Sequence, residues 1–131
     1  MRTGLIFGAA HGFLAVALGA FGAHGLGDWL AELPDGAQRL AWWETASHYQ
    51  LAHAIALVAV AALARDRTTR TCVWAFGLGA LIFSGSLYAM TLTGVIALGA
   101  ITPIGGLALL IGWAALGVAA FRVSPRAPEA G

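Results

Sequence analysis

Four long stretches without a single charged residue, Gly4 to Ala23, Ala46 to Ala64, Cys72 to Leu92 and Pro103 to Phe121, leave this chain little choice of fold. About 20 helical residues at 1.5 Å rise cross the roughly 30 Å hydrocarbon core of a bilayer, and in lipid a helix satisfies its backbone polar groups internally. The expected fold is all-α: a four-helix transmembrane bundle with short interfacial helices between spans one and two, forming a single integral membrane domain over residues 1–131. A soluble bundle is a poor alternative, because a chain that is 60% hydrophobic and 10% charged cannot cover a soluble surface with polar groups. Any activity must sit in the membrane or at its faces.

The first stretch resembles a secretory signal, with Arg2 before it and small residues near Ala20 and Ala23. It is longer than an ordinary signal core and the rest of the chain is equally apolar, so it reads as a retained first helix. Cys72 is the only cysteine, which leaves no intrachain disulfide and no cysteine metal cluster.

Arginines orient the spans. Arg2 precedes the first, Arg65, Arg67 and Arg70 lie between the second and third, and Arg122 and Arg126 follow the fourth, while only Arg39 falls in the first connection. Cytoplasmic loops collect Lys and Arg, so both termini are expected in the cytoplasm. Arg65-Asp66-Arg67 is the expected stop of span two, and Thr102 with Pro103 opens span four as N-cap and first helical residue. Pro34-Asp35-Gly36 signals a turn in the first connection, flanked by Trp29, Trp42 and Trp43 at headgroup depth. The second interfacial segment is expected to run into span two, and Thr93 to Ala100 to hug the outer interface.

Small residues recur at helical spacing: Gly4, Gly8, Gly12, Ala15, Gly19 and Gly22 in span one, and Gly105, Ala108, Gly112, Ala115 and Ala119 in span four. Such stripes let backbones approach closely where apolar burial no longer drives association. The expected role is packing within the bundle, with a homo-oligomer interface as the alternative.

Histidines and hydroxyls are the candidates for chemistry. Intramembrane ionisable groups usually mark a site, although neutral imidazole is the mildest of them and one hydrogen-bond partner satisfies it. Depth arithmetic puts His11 about 10 Å above the inner start of its helix, and His24 about 30 Å, near the outer surface. His48 comes at the outer interface and His53 about 7 to 8 Å deeper. Tyr49 and Gln50 share the His53 face, and Ser84, Ser86 and Tyr88 bring hydroxyls to the same outer half, where Thr102 opens the fourth helix. The expectation is an outer-half polar cluster of His24, Tyr49, Gln50, His53, Ser84, Ser86, Tyr88 and Thr102, with interhelical hydrogen bonding as its plain role.

Gly19-Ala20-Phe21-Gly22-Ala23-His24, Tyr49-Gln50 with His53, Phe83-Ser84-Gly85-Ser86-Leu87-Tyr88, Thr102-Pro103-Ile104-Gly105-Gly106 and Gly112-Trp113 follow one another along the chain. In that order they resemble the pattern of the bacterial domain of unknown function 423 family, the YgdD-like small inner-membrane proteins. The resemblance covers nearly the whole chain and implies a four-helix protein of the bacterial inner membrane with no established activity. His11 and His48 lie outside the matching blocks.

Three classes of function remain open. The leading one is a non-enzymatic structural or accessory component of the membrane, with membrane lipid and a membrane-protein partner or a second copy as its partners. The second is a haem or copper binder using His24, His48, His53 and the thioether of Met90. The third is a small transporter or a lipid or quinone binder, against which stand the absence of charge within the stretches and of a repeat between the halves. No paired intramembrane carboxylate, phosphate-cradling loop or HExxH motif points to an enzyme, and a net charge of +1 supports no nucleic-acid partner.

Overall fold

The computed structural model describes residues 2–63 and 67–122. Its elements are α1 (Arg2–Phe21), a π-helical turn (Gly22–Leu26), α2 (Gly27–Ala31), α3 (Gly36–Leu63), α4 (Arg67–Thr93), a 3₁₀ turn (Ile96–Ala100) and α5 (Thr102–Phe121). Four helical runs are long and apolar enough to cross a membrane: Arg2–Ala31, Gly36–Leu63, Arg67–Thr93 and Ile96–Phe121. The all-α, four-span architecture is as the sequence implies. Ala64, Arg65, Asp66 and Arg126 lie outside the described residues.

Helix α3 begins at Gly36 rather than Ala46, since the interfacial segment after the Pro34-Asp35-Gly36 turn continues without a break into the span. Gly36 N–H donates to the Leu33 carbonyl at 3.0 Å, and a side chain at Gly36 would run into the Leu30 carbonyl, so only glycine fits this turn. The other interfacial segment, α2, is welded to α1 by the π turn. There Trp43 reaches in from α3, its indole N–H donating at 2.7 Å to the carbonyl of Leu18, the acceptor that a regular helix offers to Gly22. A side chain inserted into the i→i−4 ladder is a recognised cause of a π bulge, and a Cβ on Gly22 would come within 2.5 Å of the indole.

Helices α3 and α4 form the centre, with α1 packed on α3 and α5 on α4; α1 touches α4 lightly, and α3 and α5 make no close backbone approach. The seams explain the small-residue stripes. A Cβ on Gly8 would lie 2.6 Å from Val58 Cγ2 and 3.2 Å from the Val58 nitrogen, and one on Gly105 would overlap the Phe83 backbone. Gly4, Gly8, Ala15, Gly22, Gly105 and Gly112 are all buried within one copy of the chain. Large apolar side chains such as Phe13, Ile55, Leu107 and Leu110 point outward, as lipid permits.

Two apolar cores result, one around Leu26, Leu30, Trp43, Leu87 and Met90, the other around Leu57, Val60, Phe76, Ala80 and Leu109. The polar residues of α3, Gln50 and His53, fall between them. At the end bearing the first core, Gly94 turns the chain with φ +72° and Arg39 packs over it. Arg39 Nη1 donates to the Thr91 carbonyl at 3.3 Å, Thr91 Oγ1 stands 3.0 Å from the Arg39 carbonyl, and Arg39 Nε pairs with Asp35 at 2.9 Å. The arginine thereby closes the carbonyl end of α4, where a cation is favourable. Thr102 is not the N-cap of α5 but its first residue, with Pro103 in the first turn; the Thr102 hydroxyl instead meets Ser86 Oγ at 2.7 Å.

Candidate functional site

The buried polar layer consists of two separate groups. The first joins α1, α3 and α4. Side chains lean toward their own helix N-terminus, so on antiparallel neighbours Gln50 leans toward Tyr88 and Tyr88 toward Gln50. Tyr88 O–H donates to Gln50 Oε1 at 2.9 Å, and Gln50 Nε2 faces His11 Nδ1 at 3.4 Å, the long end of hydrogen-bond range. Because the tyrosine claims the amide oxygen, the amide nitrogen is the donor and His11 Nδ1 the acceptor, which leaves the proton of the neutral imidazole on Nε2. His11, Gln50 and Tyr88 are all buried, sealed by the T-shaped Phe7–His11 contact at 4.8 Å and by Trp43, whose ring lies tilted against Tyr88 with centroids 4.5 Å apart.

The second group lines a groove of about 650 Å³ that opens sideways between α3 and α5, walled by Tyr49 and His53 from α3, Phe83 from α4, and Pro103, Gly106, Leu110 and Trp113 from α5. Where the two backbones stay apart, side chains bridge them. Trp113 Nε1–H donates to His53 Nε2 at 3.1 Å, and His53 Nδ1 lies 2.7 Å from the Tyr49 carbonyl one turn back on its own helix. A carbonyl can only accept and an indole can only donate, so His53 is held as the neutral Nδ1–H tautomer with both nitrogens engaged. Tyr49 stacks on Phe83 at 4.5 Å, and Phe76 packs behind against both His53 and Trp113. His53 itself is only 7% exposed, whereas Tyr49 and Trp113 present nearly half their surface to the lipid side.

The structure thus divides the residues expected to form one cluster. Gln50 and Tyr88 belong to the sealed group, and Tyr49 and His53 to the groove. Ser86 and Thr102 bond to each other, and Ser84 Oγ donates to the Ala46 carbonyl at 2.8 Å, tying α4 to α3. His24 joins none of them. It lies two residues past buried Gly22, about half a helical turn around, and is exposed on the π turn. His11 takes the place expected of His24: with α3 starting at Gly36, Gln50 lies far along its helix and level with His11. The signal for His11 was its position on the stripe Gly4, Gly8, His11, Ala15, the buried face of α1. Trp113 follows Gly112, whose own missing side chain makes room for Phe76, and no spacing in α5 marks it as a partner of His53.

Haem or copper does not fit this donor set. His48 and His24 are exposed and apart from His53, Met90 is buried in the apolar core beside Leu26, Leu30 and Leu87, and the His53 Nε2 lone pair that a metal would need is taken by Trp113. Among the described residues no group of three His, Cys, Asp or Glu side chains is placed to hold a metal ion. Nor does any buried side-chain nitrogen or oxygen among them lack a hydrogen-bond partner. Both groups are satisfied networks of the kind that fixes helices in register.

Residues 18–106 match the family described as "Protein of unknown function (DUF423)". The chain is 42% identical over 126 residues to the UPF0382 membrane protein YwdK of Bacillus subtilis (strain 168), covering 93% of this chain and 98% of that protein. It is 39% identical over 127 residues to the UPF0382 membrane protein SSP2132 of Staphylococcus saprophyticus, covering 94% and 100%. With the UPF0382 inner membrane protein YgdD of Escherichia coli (strain K12) the identity is 38% over 125 residues, covering 93% and 92%. No solved structure matches the chain.

Proposed function

The chain belongs to the DUF423 family of membrane proteins, and on that footing we propose that it is a non-enzymatic accessory component of the bacterial inner membrane that seats a transmembrane segment of a protein partner in the α3–α5 groove. The observation that carries this reading is the saturation of the groove's buried polar group: both nitrogens of His53 are engaged, so the groove recognises by apolar shape rather than by chemistry. Neither the family description nor the relatives' names point to a reaction. A second reading, a quinone ring or lipid tail in the same groove, draws support from the stacked Tyr49–Phe83 pair, which offers a flat aromatic wall.

Gly106→Leu tests both. A Cβ at Gly106 meets only the Phe83 ring at 3.7 Å, so the added side chain fills the groove without displacing α5. Wild type and variant are purified from native membranes in mild detergent. A stoichiometric companion protein lost from the variant supports the accessory role; a quinone or lipid lost instead favours the second reading. Identical complements from both proteins sink the two together.

The membrane and its sidedness belong to the same proposal: residence in the inner membrane, with both termini in the cytoplasm. Arg2, Arg67, Arg70 and Arg122 gather at one end of the bundle, and the E. coli relative is named an inner membrane protein. Arg39 at the other end is paired with Asp35 and bound to α4. A C-terminal reporter active only in the cytoplasm is expected to be active; an inactive one, with a periplasmic reporter active, reverses the orientation.

A further inference from the structure

We propose that a second groove, at the end of the bundle bearing Arg2 and Arg122, binds one anionic phospholipid, with the phosphate held by Arg67 and Arg70 and an acyl chain laid along Trp74 and Leu78. This site is independent of the α3–α5 groove. Arg67, Arg70, Thr71, Trp74, Ala75 and Leu78 follow the spacing i, i+3, i+4, i+7, i+8, i+11, which places them on one face of α4. They line a trench of about 610 Å³ whose opposite wall is Ala108 of α5, where a small side chain leaves the space open.

Along that face the chemistry changes in the order a phospholipid does. Two guanidiniums and a hydroxyl come first, then an indole about 10 Å further in, then only apolar surface by about 16 Å, roughly half the hydrocarbon thickness. Among the described residues the two arginines are not engaged elsewhere. Arg39 is bound to Asp35 and Thr91, and Arg122 Nη1 donates to Thr68 Oγ1 at 3.0 Å, but neither Arg67 nor Arg70 pairs with any carboxylate among the described residues. Both are exposed at the mouth of the trench, and the planar donor fork of a guanidinium suits a phosphodiester. Charge selects an anion, and the apolar continuation selects a lipid over a free one.

The full-length protein in mild detergent is titrated with phosphatidylglycerol and, separately, with phosphatidylcholine of the same acyl chains, and bound lipid is counted by native mass spectrometry. Wild type is expected to retain one phosphatidylglycerol in preference. At about 5-fold per arginine, Arg67→Gln with Arg70→Gln lowers that preference about 25-fold, while Arg2→Gln, an exposed arginine on the same face of the membrane, leaves it unchanged. Ala108→Leu fills the trench and weakens retention without altering charge. The proposal fails if the double variant, shown by its thermal unfolding to be intact, keeps the preference, if Arg2→Gln lowers it equally, or if inorganic phosphate displaces the lipid at matching concentration.

Discussion

The sealed triad of His11, Gln50 and Tyr88 and the groove wall of Tyr49, His53 and Trp113 use similar residues to opposite ends. In the triad every polar tip points inward between three helices and out of contact with lipid. In the groove His53 and Trp113 are also paired with each other, but the rings of Tyr49, His53 and Trp113 form an open wall on the side of the bundle. A polar residue within a span is therefore no sign of a site by itself. What separates a helix key from an open wall is whether the neighbouring helices close over it, and α1 closes over Gln50 while nothing among the described residues closes over Trp113.

Breaking the groove without touching the triad gives the largest expected effect. Gly105→Ala drives a methyl into the Phe83 backbone, which cannot yield, and is expected to cost about 3 kcal/mol and to loosen α5. Unfolding in mixed micelles measures the loss, and hydrogen exchange should rise in α5 alone; protection lost equally in α1 would show that the two regions are not separable.

Breaking the triad comes next. Gln50→Leu strands both His11 Nδ1 and the Tyr88 hydroxyl, at about 2 kcal/mol. Adding Tyr88→Phe removes one of the stranded groups, so the double variant should be no less stable than the single one. If the two losses add instead, the triad does not act as a unit.

The smallest effect sharpens the contrast. Trp113→Phe removes one indole N–H from a lipid-facing bond and is expected to cost about 0.6 kcal/mol while freeing His53 Nε2. The nitrogen chemical shifts of the His53 ring report the change directly, and unchanged shifts would mean that the indole does not hold the imidazole.

The spans were legible because lipid imposes a length and a composition that any helix must meet. The opening at Thr102 and the end at Phe121 follow from Pro103 and the run of apolar residues between. The start of α3 was less so, since the segment from Gly36 to Thr45 carries charge yet has no helix breaker after its first glycine. Gln50 and His53 share a helix face in the sequence, but which of them faces α1 and which α5 depends on the rotation of α3. Spacing within one helix cannot supply that. His24 fails on depth and on azimuth: it lies about 20 Å beyond His11, the histidine that is level with Gln50, and it is exposed on the π turn.

Arg39 carries a consequence for assembly. Residues at the end of α4 close part of it themselves, with Gly94 N–H donating to the Met90 carbonyl at 2.8 Å and the Thr93 hydroxyl to the Ala89 carbonyl at 2.7 Å, but the Thr91 carbonyl is met by Arg39 of α3. Asp35, one turn before Arg39, holds the guanidinium in place. The third span therefore depends on the second for the cation at its carbonyl end.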